Sequence, residues 1–586
     1  LGQSIFTYAN VPYRIKPYEQ IVRNPHDSIV FDHALDREIA ARVACIGADG
    51  KLLLDSGDGQ PYHVNLAEKL LVPLLAKVCN LVIDGGIWMN TQRPEWNDAN
   101  NALAGNGLSV VTLCYLRRYV KFLLELLEPL AGQSVDISSA VTDWLTSTRQ
   151  ALSKTGVRRR QLLDELGSAF CAYRQRVYTA GVSGKTNVAV DAIADLLRRV
   201  FDRVDRSIRA NRRGDGLYHS YNLLKLKDDE ASVGHLPEML EGQVAVLSSG
   251  CVNAAESLAI LHALFKSRMY RPDQDSFTLY PDRAVPSFMD RNVIPDEQVA
   301  AIPLLQSMLE VGDTSIVARD ADGVCRFNGD FLNAAGVRAA MDRLSYHSAA
   351  DAVAQLFQEI FDHHRFIGRS GVMHGYEGLG CIYWHMVAKL LLATQEQFWA
   401  AQREHQPWET TLQPLAQMYY QIRQGLGFGK SAKQFGAFPT DPYSHTPPHS
   451  GARQPGMTGQ VKEEILARFG ELGLIVDDGC IRFHPILLRR REFLTQPTTW
   501  NFIDVNGDGR QLSLPAGSLG FSYCQVPIIY HLADEPMRIA ATSATGVRTT
   551  TPADSLDRST SAALFARDAT IARIDVTVPV ELLRLA

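Results

Sequence analysis

One change of period divides this chain. From residue 67 to 472 apolar side chains recur at three- and four-residue spacing, whereas after 473 they alternate within short β-branched runs. The first pattern lays an apolar stripe along a helix and the second covers one face of a strand, so a helical body followed by a β-rich tail is expected. Helical runs are predicted at 66–81, 108–131, 158–180, 187–209, 254–268, 297–310, 350–363, 379–395, 410–424 and 458–470. Loops rich in Gly, Pro, Asn, His and Tyr separate them, a composition suited to a binding surface carried on a rigid scaffold. No repeat of a solenoid type is visible. Helix pairs joined by variable loops instead fit an (α/α)6 toroid, a barrel of helix pairs whose loops line a central pocket. The tail, with Leu474-Ile475-Val476, Gln525-Val526-Pro527-Ile528-Ile529 and Ile574-Asp575-Val576-Thr577-Val578, reads as a β-sandwich. The expected fold is therefore mainly α with β. It comprises an N-terminal strand-and-turn segment over 1–66, a toroid over 67–472 and a C-terminal β-sandwich over 473–586. Within the first segment, Ile46-Gly47-Ala48-Asp49-Gly50 has the look of a hairpin turn. Because the sequence starts at Leu1 on strand-like residues, 1–66 is expected to be the remainder of a larger upstream region.

The 586 residues, 46% of them hydrophobic, suffice for large cores in two or more domains. A net charge of -5 offers no bulk attraction to nucleic acid or to an anionic membrane, and the basic runs at 158–160 and 489–491 are short. No apolar stretch is long enough to span a bilayer. Nine scattered cysteines without a CxxC pair point to reduced thiols and a cytoplasmic setting.

Chemistry concentrates first in Arg93-Pro94-Glu95-Trp96-Asn97-Asp98-Ala99-Asn100-Asn101. Two carboxylates, an indole and three carboxamides precede an apolar helical run. Sugar hydroxyls need such donors and acceptors, and a sugar's C–H face stacks on indole; helix capping would use only one or two of these residues. Arg93, Glu95, Trp96 and Asn97 are candidate substrate contacts, and Asp98 a candidate acid. Two later Gly-rich loops open helices, where free N–H groups favour an anion or a sugar. One runs from Met373 to His385 and holds Tyr376 and Glu377; the other holds Tyr443, His445, Thr458 and Gly459. Gly425 to Ser431 imitates a phosphate loop, but its spacing is one residue short and no strand precedes it. Asp504 to Gly509 imitates the start of a calcium loop, yet its twelfth position is Pro515, and a β-turn explains it as well. His363-His364 lacks the companions of a zinc site. No metal or cofactor is expected.

The segment around Asp98, with Gly105, Gly107 and Ser109 after it, resembles the Asp-Trp-Asn-Asp segment of glycoside hydrolase family 94, the inverting phosphorylases of β-linked disaccharides and related cyclic-glucan enzymes. The loop leading into His385 resembles that family's loop before a phosphate-binding His, and Met457-Thr458-Gly459 resembles its Leu-Thr-Gly segment. The order along the chain agrees. The resemblance implies that Asp98 is the general acid and that His385, Thr458 and Gly459 bind inorganic phosphate as co-substrate. It further implies an oligosaccharide substrate and a tendency to dimerise. Two departures stand out: the middle third has no counterpart, and Asp98 lies further from His385 along the chain than the family leads one to expect.

Inverting cleavage needs an acid to protonate the departing oxygen and a nucleophile on the opposite face of the anomeric carbon. A phosphorylase uses phosphate and needs no second carboxylate. A hydrolase needs a base roughly 6.5–9.5 Å from the acid, and Glu463, Glu464 and Glu377 are the candidates. An adjacent pair of glutamates next to Lys462 is most simply a solvated helix face, and phosphorolysis is the favoured expectation. A toroid that binds carbohydrate without catalysis is the third reading. Asp98→Asn separates it from the other two: turnover on an oligosaccharide should be nearly abolished with ligand affinity, read by calorimetry, retained. An unaltered rate would remove Asp98 from the acid role.

Overall fold

The computed structural model describes residues 1–91, 103–281, 286–361, 382–426, 431 and 445–446, and 458–585, with the backbone alone at 445–446 and 458–462. The chain divides into two compact units, the first made chiefly of 1–386 and the second chiefly of 387–431 and 453–586.

In the first unit a five-stranded antiparallel sheet runs in the order Leu81–Val82, Gly86–Trp88, Gly107–Ser109, Tyr221–Lys227, Glu230–His235. The helix Val110–Leu127 follows directly from the third strand, with the Ser109 hydroxyl accepting from the N–H of Thr112 at 2.9 Å. It packs against Val190–Ala210 and Leu240–Ser249. Val190–Ala210 shows why its sequence makes a half-buried helix. Val190, Ile193, Leu197, Val200 and Val204 form one buried stripe, while Arg198, Asp202 and Arg206 face water.

Residues 1–66 belong to this unit rather than standing apart. Phe6 pairs with Val64, and Asn65 caps the helix Leu66–Val78 by accepting from the N–H of Glu68. The Glu68 carboxylate is 1% exposed and accepts from the N–H of Ser138 (2.8 Å) and from its hydroxyl (2.6 Å). The Tyr62 hydroxyl in turn donates to Ser138, so the buried carboxylate is satisfied by the neutral donors of a residue that a further segment holds in place. The hairpin expected at Ile46 to Gly50 is not formed. A helix, His33–Ile46, runs to that point and passes into a 3-10 turn, Gly47–Lys51. Asp32, which accepts from Ala34 and Leu35 N–H groups, is the start signal that a strand reading of this stretch overlooks.

Residues 294–361 form a small core of their own. Leu305, Ile316, Val337, Met341, Val353 and Phe357 meet inside it, carried by Pro303–Val311, Ala334–Arg343, His347–Phe361 and the hairpin Val317–Arg319/Cys325–Phe327. Among the described residues, none of that buried cluster comes from outside the stretch. The chain also leaves and returns at one place, since Thr278 pairs with Ile382. Those two observations mark an insertion.

The second unit holds Gln413–Gly425 and Thr458–Glu471. Glu471, 1% exposed, pairs with Arg423 and Arg468 and accepts from the Tyr419 hydroxyl at 2.6 Å. Two hairpins follow, Leu474–Asp477/Cys480–Phe483 and Thr498–Ile503/Gly509–Leu514, and then a five-stranded sheet. Its order is Ser518–Tyr523, Val526–Ala533, Ile571–Pro579, Arg538–Ser543, Arg548–Thr551, with the second and third strands parallel. Ile528, Tyr530, Ile574, Val576 and Val578 bury one face against Phe483 and Leu564. The calcium-like residues are the turn of the second hairpin. Asp504 accepts from the N–H groups of Asn506 and Asp508 and pairs with Arg510, leaving its carboxylate engaged.

Because the insertion has its own core, damage to it should stay local. Phe357→Ala is expected to destabilise it by about 3–5 kcal/mol. Hydrogen exchange should quicken at 294–361 and stay unchanged in the strands at 81–88 and 221–235, and a uniform change across both would contradict a separate core.

Candidate active site

The described structure supplies the frame around the acid-bearing segment. Arg93, Glu95, Trp96, Asn97 and Asp98 themselves lie outside the described residues, as do Tyr376, Glu377 and Tyr443. Gly86–Trp88 and Gly107–Ser109 are neighbouring antiparallel strands, with Trp88 opposite Leu108. Met89 N–H donates to Gly107 O (2.9 Å), Gly105 N–H donates to Met89 O (2.6 Å), and the indole N–H of Trp88 donates to Gly105 O (2.8 Å). The chain therefore departs toward residue 98 and comes back between two fixed points. On the departing side, Asn90 donates to Asn80 Oδ1 at 2.6 Å and accepts from the Thr91 hydroxyl at 3.0 Å. Beside them is a cavity of about 350 Å³, lined among others by Asn80, Trp88, Asn90, Thr91, Ala104 and Phe170. Its size and its mix of amides with aromatic walls suit a small polar ligand.

The two later loops, separate in sequence, come together through backbone pairing. Ile382–Tyr383 forms an antiparallel ladder with His445–Thr446, setting Tyr383 opposite His445. His385 follows in the first turn of the helix Trp384–Arg403, half-buried, with the Tyr383 ring edge-on to its imidazole at 3.7 Å between centroids. Thr458 and Gly459 open the helix Thr458–Glu471, as their sequence predicts. Both positions lie at helix starts, where free backbone N–H groups favour an anion.

For the candidate bases the structure separates two neighbours. Glu464 is half-buried, but Glu463 is only 6% exposed, and its Oε2 has no hydrogen-bond partner among the described residues. The solvated-face reading therefore fails for Glu463. A buried carboxylate oxygen left unpartnered is rare in folded proteins and is a mark of function as often as of strain.

Sequence reasoning noted Asp215 to Asn222 only as part of the middle third without a counterpart. His219 and His235 stack at 4.2 Å with their rings 9° apart, and each donates through Nδ1, to Leu236 O and to Asn222 Oδ1 respectively. Burial, then the neighbouring His235 and the Arg213 guanidinium, push the His219 pKa down from 6.5 to about 4. The density of Tyr, His, Ser and Asn in 215–222 was the available signal.

Residues 285–364 match a family model described as GH149 phosphorylase insertion domain 2. The match covers the stretch that carries the separate core, and it supports a phosphorylase-type carbohydrate enzyme. It also accounts for part of the extra length between Asp98 and His385. No curated protein matches the chain. Among the described residues no group of His, Cys, Asp and Glu could hold a metal ion, and no helix is long and apolar enough to cross a membrane.

The depressed pKa of His219 has a consequence for stability. Between pH 6.5 and about 4 the unfolded chain binds a proton there that the folded chain does not. The contribution of His219 is thus complete above that window and falls away as the pH drops through it. Urea denaturation across the window should show a shallower loss for His219→Gln than for the wild type. Equal slopes would mean that His219 is not held neutral.

Proposed function

We propose that this protein is a glycoside phosphorylase that cleaves a β-glycosidic bond of a glucan-type oligosaccharide with inversion. The observation that carries the reading is the phosphorylase match at 285–364, on an insertion that departs and returns beside the strand leading to His385. In this reading the helices form an (α/α)6 toroid with the loops at its mouth. Asp98 protonates the departing oxygen, with Glu95 and Trp96 raising its pKa and Arg93 and Asn97 holding the sugar. Phosphate, bound by His385, Thr458 and Gly459, attacks the anomeric carbon from the opposite face, so a β-linkage yields an α-configured sugar 1-phosphate. Tyr376, Glu377, Tyr443 and His445 contact the oligosaccharide. The protein acts in the cytoplasm, as a dimer.

A second reading, inverting hydrolysis, is favoured by one observation. Glu463 is a buried carboxylate with one oxygen that has no hydrogen-bond partner among the described residues, which suits a general base for water.

Incubation of oligosaccharides of varied β-linkage with and without inorganic phosphate, followed by phosphorus NMR, distinguishes them. Phosphorolysis predicts sugar 1-phosphate only when phosphate is present. Release of free sugar in its absence, lost in Glu463→Gln, would replace the first reading with the second.

A further inference from the structure

The cavity of about 350 Å³ in the first unit has polar groups whose directions are set before anything enters it. The Thr91 hydroxyl donates to Asn90 Oδ1 at 3.0 Å, Asn90 Nδ2 to Asn80 Oδ1 at 2.6 Å, and Asn80 Nδ2 to Ala76 O at 2.9 Å. Each bond fixes the sense of the next. Both amides are therefore oriented, and each keeps one N–H that finds no partner among the described residues. Asn90 is only 9% exposed. Thr112, in the first turn of Val110–Leu127, adds a hydroxyl without a partner among the described residues. The Ser109 hydroxyl accepts from Thr112 N–H and retains its own proton. Unspent donors in the wall of a cavity carry a desolvation cost that a ligand with oxygen acceptors removes.

The apolar lining offers carbon rather than further donors. The Trp88 indole N–H is already spent on Gly105 O at 2.8 Å, so what remains for the cavity is ring surface. Phe170 is braced by stacking on Trp144, with centroids 4.8 Å apart and planes within 8°. Among the described lining residues Lys77 alone is ionisable at neutral pH and none is a carboxylate, so these residues offer no anionic group to a metal ion or an organic cation. What matches them is a neutral ring with hydroxyls on its edge and C–H groups on its face. The volume, near the small end of ligand pockets, holds one such ring and not a chain of them.

We propose that this cavity is a monosaccharide subsite, in which a single pyranose ring lies against Trp88 and turns its hydroxyl oxygens to Asn80, Asn90 and Thr112. The assignment rests on the carbohydrate reading above for the choice of a sugar, and on neither phosphate as nucleophile nor any residue as acid.

Titration of the full chain with D-glucose, D-galactose and D-mannose, followed by saturation-transfer NMR, tests it without turnover. The wild type should bind at least one of them with millimolar Kd. Thr112→Val keeps the side-chain shape and removes one hydroxyl, and should weaken binding roughly 3- to 10-fold. Ala76→Leu adds volume to the cavity wall while leaving the backbone acceptor of Asn80 in place, and should abolish binding. Circular dichroism checks that both variants are folded; should Ala76→Leu fail to fold, the Thr112→Val titration decides alone. Binding that neither variant alters, or no binding by the wild type, overturns the subsite. Binding of glucose 1-phosphate but of no neutral sugar, blocked by Ala76→Leu, overturns it in favour of an anion site. A wild type that binds sugar as expected yet forms no sugar 1-phosphate defeats the phosphorylase reading alone, whereas phosphorolysis with binding unaltered in both variants defeats the subsite alone.

Discussion

The antiparallel pairing of Gly86–Trp88 with Gly107–Ser109 is the constraint on which the first unit depends. It centres the five-stranded sheet, launches the helix Val110–Leu127, and fixes the two points between which the residue-98 segment is strung. The pairing is close enough to require glycine. Gly86 has a φ of 133°, and a Cβ there would sit 2.9 Å from the Ser109 carbonyl carbon; at Gly107 it would sit 2.5 Å from Leu103 Cβ. Trp88 closes the arrangement from beneath by bonding to Gly105, so an aromatic side chain that looks like simple core filling also ties down the loop's return.

Much of the helical framework was legible because burial on one face leaves a periodic trace. Each of the ten predicted runs overlaps a helix, although 297–310 is split between Asp296–Ala300 and Pro303–Val311. The helices Ser139–Ser153, Leu240–Ser249 and Ala334–Arg343 lie outside those runs, and two further kinds of element escaped as well. His33–Ile46 buries only Ile39 fully, so its apolar spacing is faint and its surroundings of turns dominate the reading. The sheet strands of the first unit are two to seven residues long, too short to establish alternation before they end. In the tail the strands were legible, and so was the rejected calcium loop, because a turn with Asp at its first position satisfies itself through its own backbone.

Sequence offers candidate residue types for a site but not which of them are neighbours. Sequence order could suggest that the His385 and His445 segments do similar work; only the ladder between Ile382–Tyr383 and His445–Thr446 makes them adjacent. Glu463 and Glu464 look equivalent in sequence, yet a rotation of roughly 100° about the helix axis separates a buried carboxylate from a half-exposed one. Asn222 shows no periodic signal at all, since a buried amide is defined by partners at 85, 211 and 235 that no local pattern reveals.

The bridge between Thr278 and Ile382 also bears on how the chain finds its fold. Pairing two residues so distant in sequence ordinarily carries the full entropy of closing a long flexible loop. Here most of the intervening stretch can collapse first on its own core, after which its ends are joined by a compact body rather than a wandering chain. Topology sets an order of assembly: the insertion acts as a folded clasp, and the strand before His385 is delivered to Thr278 by local events instead of a long-range search.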